Sequence, residues 1–232
     1  MIVIRKSAER GHFNHGWLET YHTFSFDRFR DPRWNGFRTL RVLNEDFIQP
    51  GGEFPAHPHR NMEIITYMIS GQLSHKDNMG NGSTISPGEV QWMSAGSGVT
   101  HSETNTSRTE LTHLLQIWIR PHAKDLTPEY GQTRFPGTDR KNGLCLIASG
   151  DGRRESLKIH QDASVFASLL ESGRDLSAEV SAGRYAYLHL ISGSLTLSDS
   201  PLSSGDGAAI SSETYLSIKA NERSEFLLFD LG

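Results

Sequence analysis

Short apolar runs, each ended by a turn sequence, recur along the whole chain and set the narrowest limit on its fold. Runs at 39–44 (TLRVLN), 62–70 (MEIITYMIS), 72–75, 89–94, 114–120 (LLQIWIR), 144–148 (LCLIA), 157–160, 164–170, 185–191 (YAYLHLI), 194–198, 207–211 and 225–230 (EFLLFD) have strand length and strand composition. Between them lie turn signals such as PGGEFP at 50–55, NMGNG at 78–82 and SSGDG at 203–207. Helical periodicity is scarce, and 162–172 reads equally as helix or strand. Many strands without long helices between them predict an all-β sandwich or barrel.

The pattern repeats. YMISGQLSHKDNMGNGSTISPGEVQWMSAG (67–96) aligns with YLHLISGSLTLSDSPLSSGDGAAISSE (187–213). In both, a strand ends in ISG, a second strand and a turn follow, and a Gly-Glu or Gly-Asp pair precedes a third apolar strand. Such self-similarity marks a duplicated unit. The polar stretch 121–143 separates the copies, which predicts a first domain at 1–133, a linker at 134–143 and a second domain at 144–232.

Composition removes several classes of function. The net charge is −4 and no basic stripe is present, which excludes nucleic acid as the primary partner. No apolar run approaches the roughly 20 residues of a membrane helix. The opening MIVIRKSAERG turns charged at once, unlike a signal peptide. Cys145 is alone, has no internal disulfide partner, and points to a reducing cytoplasm.

Against this background HPHRNME (57–63) stands out, since neither histidine nor proline builds strands. Side chains two apart on a strand share a face, so His57 and His59 aim together, as do His101 and Glu103 in HSE. Three imidazoles and a carboxylate suit one divalent first-row metal with vacant positions for substrate or dioxygen. A closed tetrahedral zinc is the competing use of the same atoms. Pro58 is compatible with a strand start, an edge or a bulge. His189, the lone histidine on an apolar strand of the second copy, reads as a core residue.

The glycines sharpen the pattern. Gly51 stands six before His57, Glu63 four after His59, Gly98 three before His101 and Asn105 four after it, spacings that resemble the two cupin motifs. Gly96 stands where the second motif often has proline. RGHFNHGWLETYHTFSF, HPHRNMEIITYMISG, HKDNMGN, PGEVQWMSAGSGVTHSE and LLQIWI together resemble the pirin family, densely in the first half and thinly in the second. The resemblance implies a bicupin of two β-barrel or jelly-roll domains face to face, with metal only in the first. It also implies His57, His59, His101 and Glu103 as metal ligands, leaving Glu63 to orient an imidazole.

Bacterial pirin-like proteins resemble quercetin 2,3-dioxygenases. The expected activity is therefore opening of a flavonol's central ring with O2 and release of CO, with Glu103 as ligand and general base. The expected cofactor is one divalent ion, Fe(II) first, with Mn, Co, Ni, Cu and Zn left open. The expected partners are an aromatic small molecule and O2, and the expected state is a monomer. A redox-responsive regulator that binds a protein partner, or a cupin acting on another small molecule, remains the alternative. One of His12, His15 and His22 is a candidate for the pocket. His75, His113, His122 and His160 read as making solvent or backbone hydrogen bonds. Trp17, Trp34, Trp92, Trp118, Phe24, Phe26 and Phe29 read as packing residues, some of them candidates to line a cavity.

Overall fold

Period-two alternation becomes strand along most of the chain in the computed structural model, which describes residues 1–232. The first eleven residues already divide: β1 (Ile2–Arg5) pairs far downstream, while β2 begins at Gly11. Then follow β2 (Gly11–Asn14), β3 (Leu18–His22), β4 (Leu40–Ile48), β5 (Glu53–His59), β6 (Glu63–Ser70) and β7 (Leu73–Asp77). After these come β8 (Gly82–Ile85), β9 (Glu89–Ser94), β10 (Val99–Thr104), β11 (Thr112–Ile119) and β12 (Glu129–Arg134). Strands β2–β12 form two sheets: seven strands in the order β12-β9-β6-β11-β4-β3-β2, and four in the order β5-β10-β7-β8. Leu18, Ile48, Met68, Leu73, Ile85 and Leu114 make one apolar cluster in this unit. Each such buried side chain contributes about 1.5–3 kcal/mol. The edge position of β5 explains its prolines, because an edge strand tolerates missing amide donors.

The second unit comprises β13 (Cys145–Ser149), β14 (Leu157–Lys158), β15 (Ala163–Leu170), β16 (Asp175–Glu179), β17 (Tyr185–Ser192) and β18 (Ser194–Leu197). It continues with β19 (Ser200–Ser203), β20 (Gly207–Ile210), β21 (Tyr215–Ala220) and β22 (Ser224–Leu231). Its sheets run β1-β20-β17-β22-β15-β13-β14 and β16-β21-β18-β19. Except at β14, which runs parallel to β13 where β2 is antiparallel to β3, this repeats the first unit: β17 stands for β6, β22 for β11, β21 for β10 and β16 for β5. The glycines of the two ISG sequences play the same part. Gly71 (φ 74°) and Gly193 (φ 92°) are left-handed. A Cβ on Gly71 would strike Leu111 O and Thr112 Cα, and one on Gly193 would strike Arg223 O and Ser224 Cα. The ambiguous 162–172 segment is strand β15. Both units are two-sheet jelly rolls rather than closed barrels.

The domain division differs from the expected one. One compact unit is Gly11–Arg134 with Ile159–Gln161; the other is Met1–Arg10 with Phe135–Lys158 and Asp162–Gly232. β1 is hydrogen-bonded to β20, from Ile2 opposite Ile210 to Arg5 opposite Gly207, and so fills the place that β12 takes beside β9. Asp206 secures it, accepting from Lys6 Nζ at 2.8 Å and Ser7 N at 2.7 Å. Nor is 121–143 a free linker. It holds β12 and the one-turn α1 (Gly137–Arg140), whose Arg140 is buried and paired with Glu225 at 3.1 Å.

Candidate metal centre

β10 lies between β5 and β7, and this placement builds the centre. His101 is directly opposite His57 on β5 and Asp77 on β7. A register shift between His101 and Glu103 follows, so Glu103 faces Phe54 and His75. The rings of His57, His59 and His101 have centroids 4.5–4.9 Å apart. One nitrogen from each lies within 4.8 Å of the other two. Glu103 is not in this mutual group; it shares His101 with a second group that contains His75.

The imidazoles are poised to coordinate. Nδ1 of His57 is 2.7 Å from Pro55 O, which it reaches only as a donor, so Nε2 is the nitrogen left to coordinate. Nδ1 of His101 is engaged with His75, whereas its Nε2 is buried without a hydrogen-bond partner. Such an orphaned acceptor beside two further imidazoles fits a metal ion. Burial, helped by His57, holds His59 at about 4. Burial and the neighbouring histidines hold His101 at about 3. Both are therefore neutral at physiological pH, the form that binds metals.

The carboxylates move the other way. Burial, reinforced by Asp46, pushes Glu103 up to about 7. Burial also raises Asp46 to about 6, partly offset by Thr20. Gln116 is the amide that faces Glu103.

These groups line a cavity of about 390 Å³, within the range of small-molecule sites. Phe26, Phe54 and Trp118 give it aromatic walls. Trp118 packs edge-on against both Phe26 and His59, with centroids 5.3 and 5.0 Å away. His15 and His22 also line it, and His12 does not. Besides His101 Nε2, the lining residues' buried polar atoms without partners include Asn44 Oδ1, His22 Nδ1 and Trp118 Nε1.

Two expectations change. Glu63 orients no imidazole. Asn61 (φ 53°) breaks the strand after His59, and Glu63 begins β6 in the other sheet. There its fully buried carboxylate accepts from Trp92 Nε1 at 2.8 Å, Ser94 Oγ at 2.7 Å and the His160 backbone N at 3.0 Å. His75 is not a solvent-facing residue either, but lies buried against His101. His113 and His160 meet the side chains of Glu45 and Glu129, while His122 bonds the backbone of His160. Asn44, Asp46 and Gln116 were missed by sequence reasoning. Strand alternation on β4, extended past residue 44, is the signal that could have found the first two.

In the second unit the strands equivalent to β5 and β10 carry Leu176, Ala178, Leu216 and Ile218 into an apolar cluster. Two jelly rolls, one gathering imidazoles in a cavity and the other filling that place with aliphatic side chains, define a bicupin with a single metal-ready centre. The first part of the chain matches the family model described as Pirin over residues 3–119. The second matches the quercetinase C-terminal cupin domain over residues 146–231. The chain belongs to the pirin family. It is 46% identical over 231 residues to quercetin 2,3-dioxygenase of Escherichia coli (strain K12), covering 100% of this chain and 99% of that protein. A pirin-like protein of Caulobacter vibrioides is 39% identical, with 99% of each chain covered. The crystal structure of the bacterial pirin YhhW from Escherichia coli in complex with nickel(II) matches with a TM-score of 0.95 at 44% identity, covering 100% of this chain and 99% of that one.

Proposed function

We propose that the protein is a metal-dependent dioxygenase that cleaves the central ring of a flavonol such as quercetin. O2 adds both its atoms to the ring, which opens to an ester with loss of one carbon as CO. The observation that carries this reading is the convergence of three imidazoles, one with an orphaned nitrogen, at an aromatic-walled cavity. His57, His59 and His101 would hold the ion, with Glu103 as the fourth ligand. When bound, a divalent ion supplies Lewis acidity and, if it is Fe(II), a redox-active centre.

The chain's own groups provide the rest. Glu103 accepts the proton of the flavonol's 3-hydroxyl, and its neighbour Asp46 shares the local negative charge. Phe26, Phe54 and Trp118 hold an aromatic ring system and exclude water. Asn44 Oδ1 accepts from a substrate hydroxyl, and Trp118 Nε1 donates to a substrate oxygen. We take the working form to be a cytoplasmic monomer with Fe(II).

The test loads the full chain in turn with Fe(II), Mn(II), Co(II), Ni(II) and Cu(II) and follows quercetin, O2 and CO together. Coupled consumption with CO release supports the assignment. Metal-replete protein that leaves quercetin and O2 untouched in every form overturns it, and leaves a binding or regulatory role for the same centre.

A further inference from the structure

The side of His101 turned away from the cavity is as ordered as the side facing it. His75 and Asp77 stand two apart on β7, directly beside His101 and Glu103 on β10. His75 Nδ1 is 3.3 Å from His101 Nδ1, and His75 Nε2 is 3.4 Å from Asp77 Oδ2. The His75 and Asp77 side chains are 1% and 0% exposed. His75 does not line the cavity. Its ring packs against Tyr130, with centroids 5.2 Å apart.

Proton bookkeeping along this row has one solution. Asp77 is an acceptor: Oδ1 takes Met79 N and Asn81 N, both at 2.9 Å, and Oδ2 takes Asn81 Nδ2 at 2.8 Å. Those bonds hold its carboxyl below the usual range, although burial opposes them. His75 Nε2 must therefore donate. With Nε2 as the donor to Asp77, the Nδ1 of the singly protonated His75 ring is the acceptor, and His101 Nδ1 donates to it across 3.3 Å. His101 Nε2 is then the bare nitrogen, and it is the orphaned atom.

We propose that Asp77 and His75 are positioning residues: the Asp77–His75–His101 row fixes His101 in its Nδ1–H tautomer, aims Nε2 at the metal and strengthens it as a donor. This deepens the metal-centre reading above and rests on His101 being a ligand. Outer partners of this kind typically change metal affinity by roughly 10- to 100-fold.

The test has a metal-free arm and a metal-bound arm. In the metal-free full chain, histidine 15N–1H correlation spectra should show His101 protonated at Nδ1, and His75→Phe should erode that preference. Asp77→Asn presents an amide donor to His75 Nε2, which reverses the row and protonates His101 at Nε2. In the second arm, Co(II) titration should weaken by roughly 10- to 100-fold in both variants, with a changed Co(II) absorption spectrum. His75→Gln, which keeps a polar side chain in case the other variants fold poorly, should recover part of the affinity. An Nε2–H tautomer in the wild-type chain overturns the proposal. So does wild-type affinity with an unchanged spectrum in His75→Phe, or a loss of metal as complete as in His101→Ala, which would make His75 a ligand. If the wild-type chain binds no metal, the function proposed above fails, and the tautomer arm still decides this one.

Discussion

Gln116 Nε2 lies 3.3 Å from one oxygen of Glu103 and 3.4 Å from the other, so a single amide straddles the carboxylate. That contact favours the charged form, yet burial and Asp46 outweigh it and leave Glu103 near 7. Ligation requires the charged form. Metal uptake at pH 6 should therefore expel a proton from Glu103, and apparent affinity should rise as pH climbs through about 7. Calorimetry in buffers of different ionisation enthalpy measures the released proton. Glu103→Gln should abolish that release and weaken metal binding.

The two glutamates of the centre's vicinity should separate cleanly. Glu63→Gln replaces an acceptor that takes three buried donors, and should lower stability by about 1–3 kcal/mol without changing metal content. His57→Ala, by contrast, should lose more metal than the roughly 10- to 100-fold expected for an outer partner. Elemental analysis alongside urea denaturation distinguishes the cases. Metal loss in Glu63→Gln with metal retained in Glu103→Gln would reverse the assignment.

The metal-free protein should carry two opposed acid responses. His22 and His59 are held at about 4 and His101 at about 3, against 6.5 when free, chiefly by burial. Below 6.5 the unfolded chain binds protons that the folded chain refuses, so this contribution to stability is lost as pH falls toward 4. Glu103 and Asp46, raised to about 7 and about 6, act the other way, since the folded chain keeps protons that the unfolded chain releases. The double variant Asp46→Asn, Glu103→Gln removes that opposition. Its melting temperature should climb more steeply between pH 4.5 and 6.5 than that of the metal-free parent.

Filling of the second jelly roll is a matter of packing alone. Leu216, fully buried on the strand equivalent to β10, should cost about 2–5 kcal/mol when changed to alanine. Metal content should stay unchanged. A Leu216→Ala chain that loses metal while still folded would mean that the second unit supports the centre directly.

The strand texture, the duplication and both histidine-bearing pairs were legible because period two is a local property. What escaped depends on position in a sheet. The apolar run at 39–44 stops at Asn44, where the polar Glu45 and Asp46 follow. β4 instead continues to Ile48 between β3 and β11, which supply hydrogen bonds and bury all three polar residues. His75 reads as making solvent or backbone hydrogen bonds, although SHKD has the same two-residue spacing as HPH and HSE. Its burial becomes visible only when β7 is known to flank β10. β5 hid behind the turn signals of PGGEFP because edge strands tolerate proline. Nothing local marks β1, whose partner is some two hundred residues away.

That distant pairing sets an order of events during synthesis. Ile2 leaves the ribosome some two hundred residues ahead of Ile210, which it faces. Until then β1 has no partner, and without β1 the outer flank of β20 would lie open, a free sheet flank that recruits stray chains. A gene fragment encoding only the later half would carry that vulnerability permanently, whereas one that also supplies the opening ten residues would not.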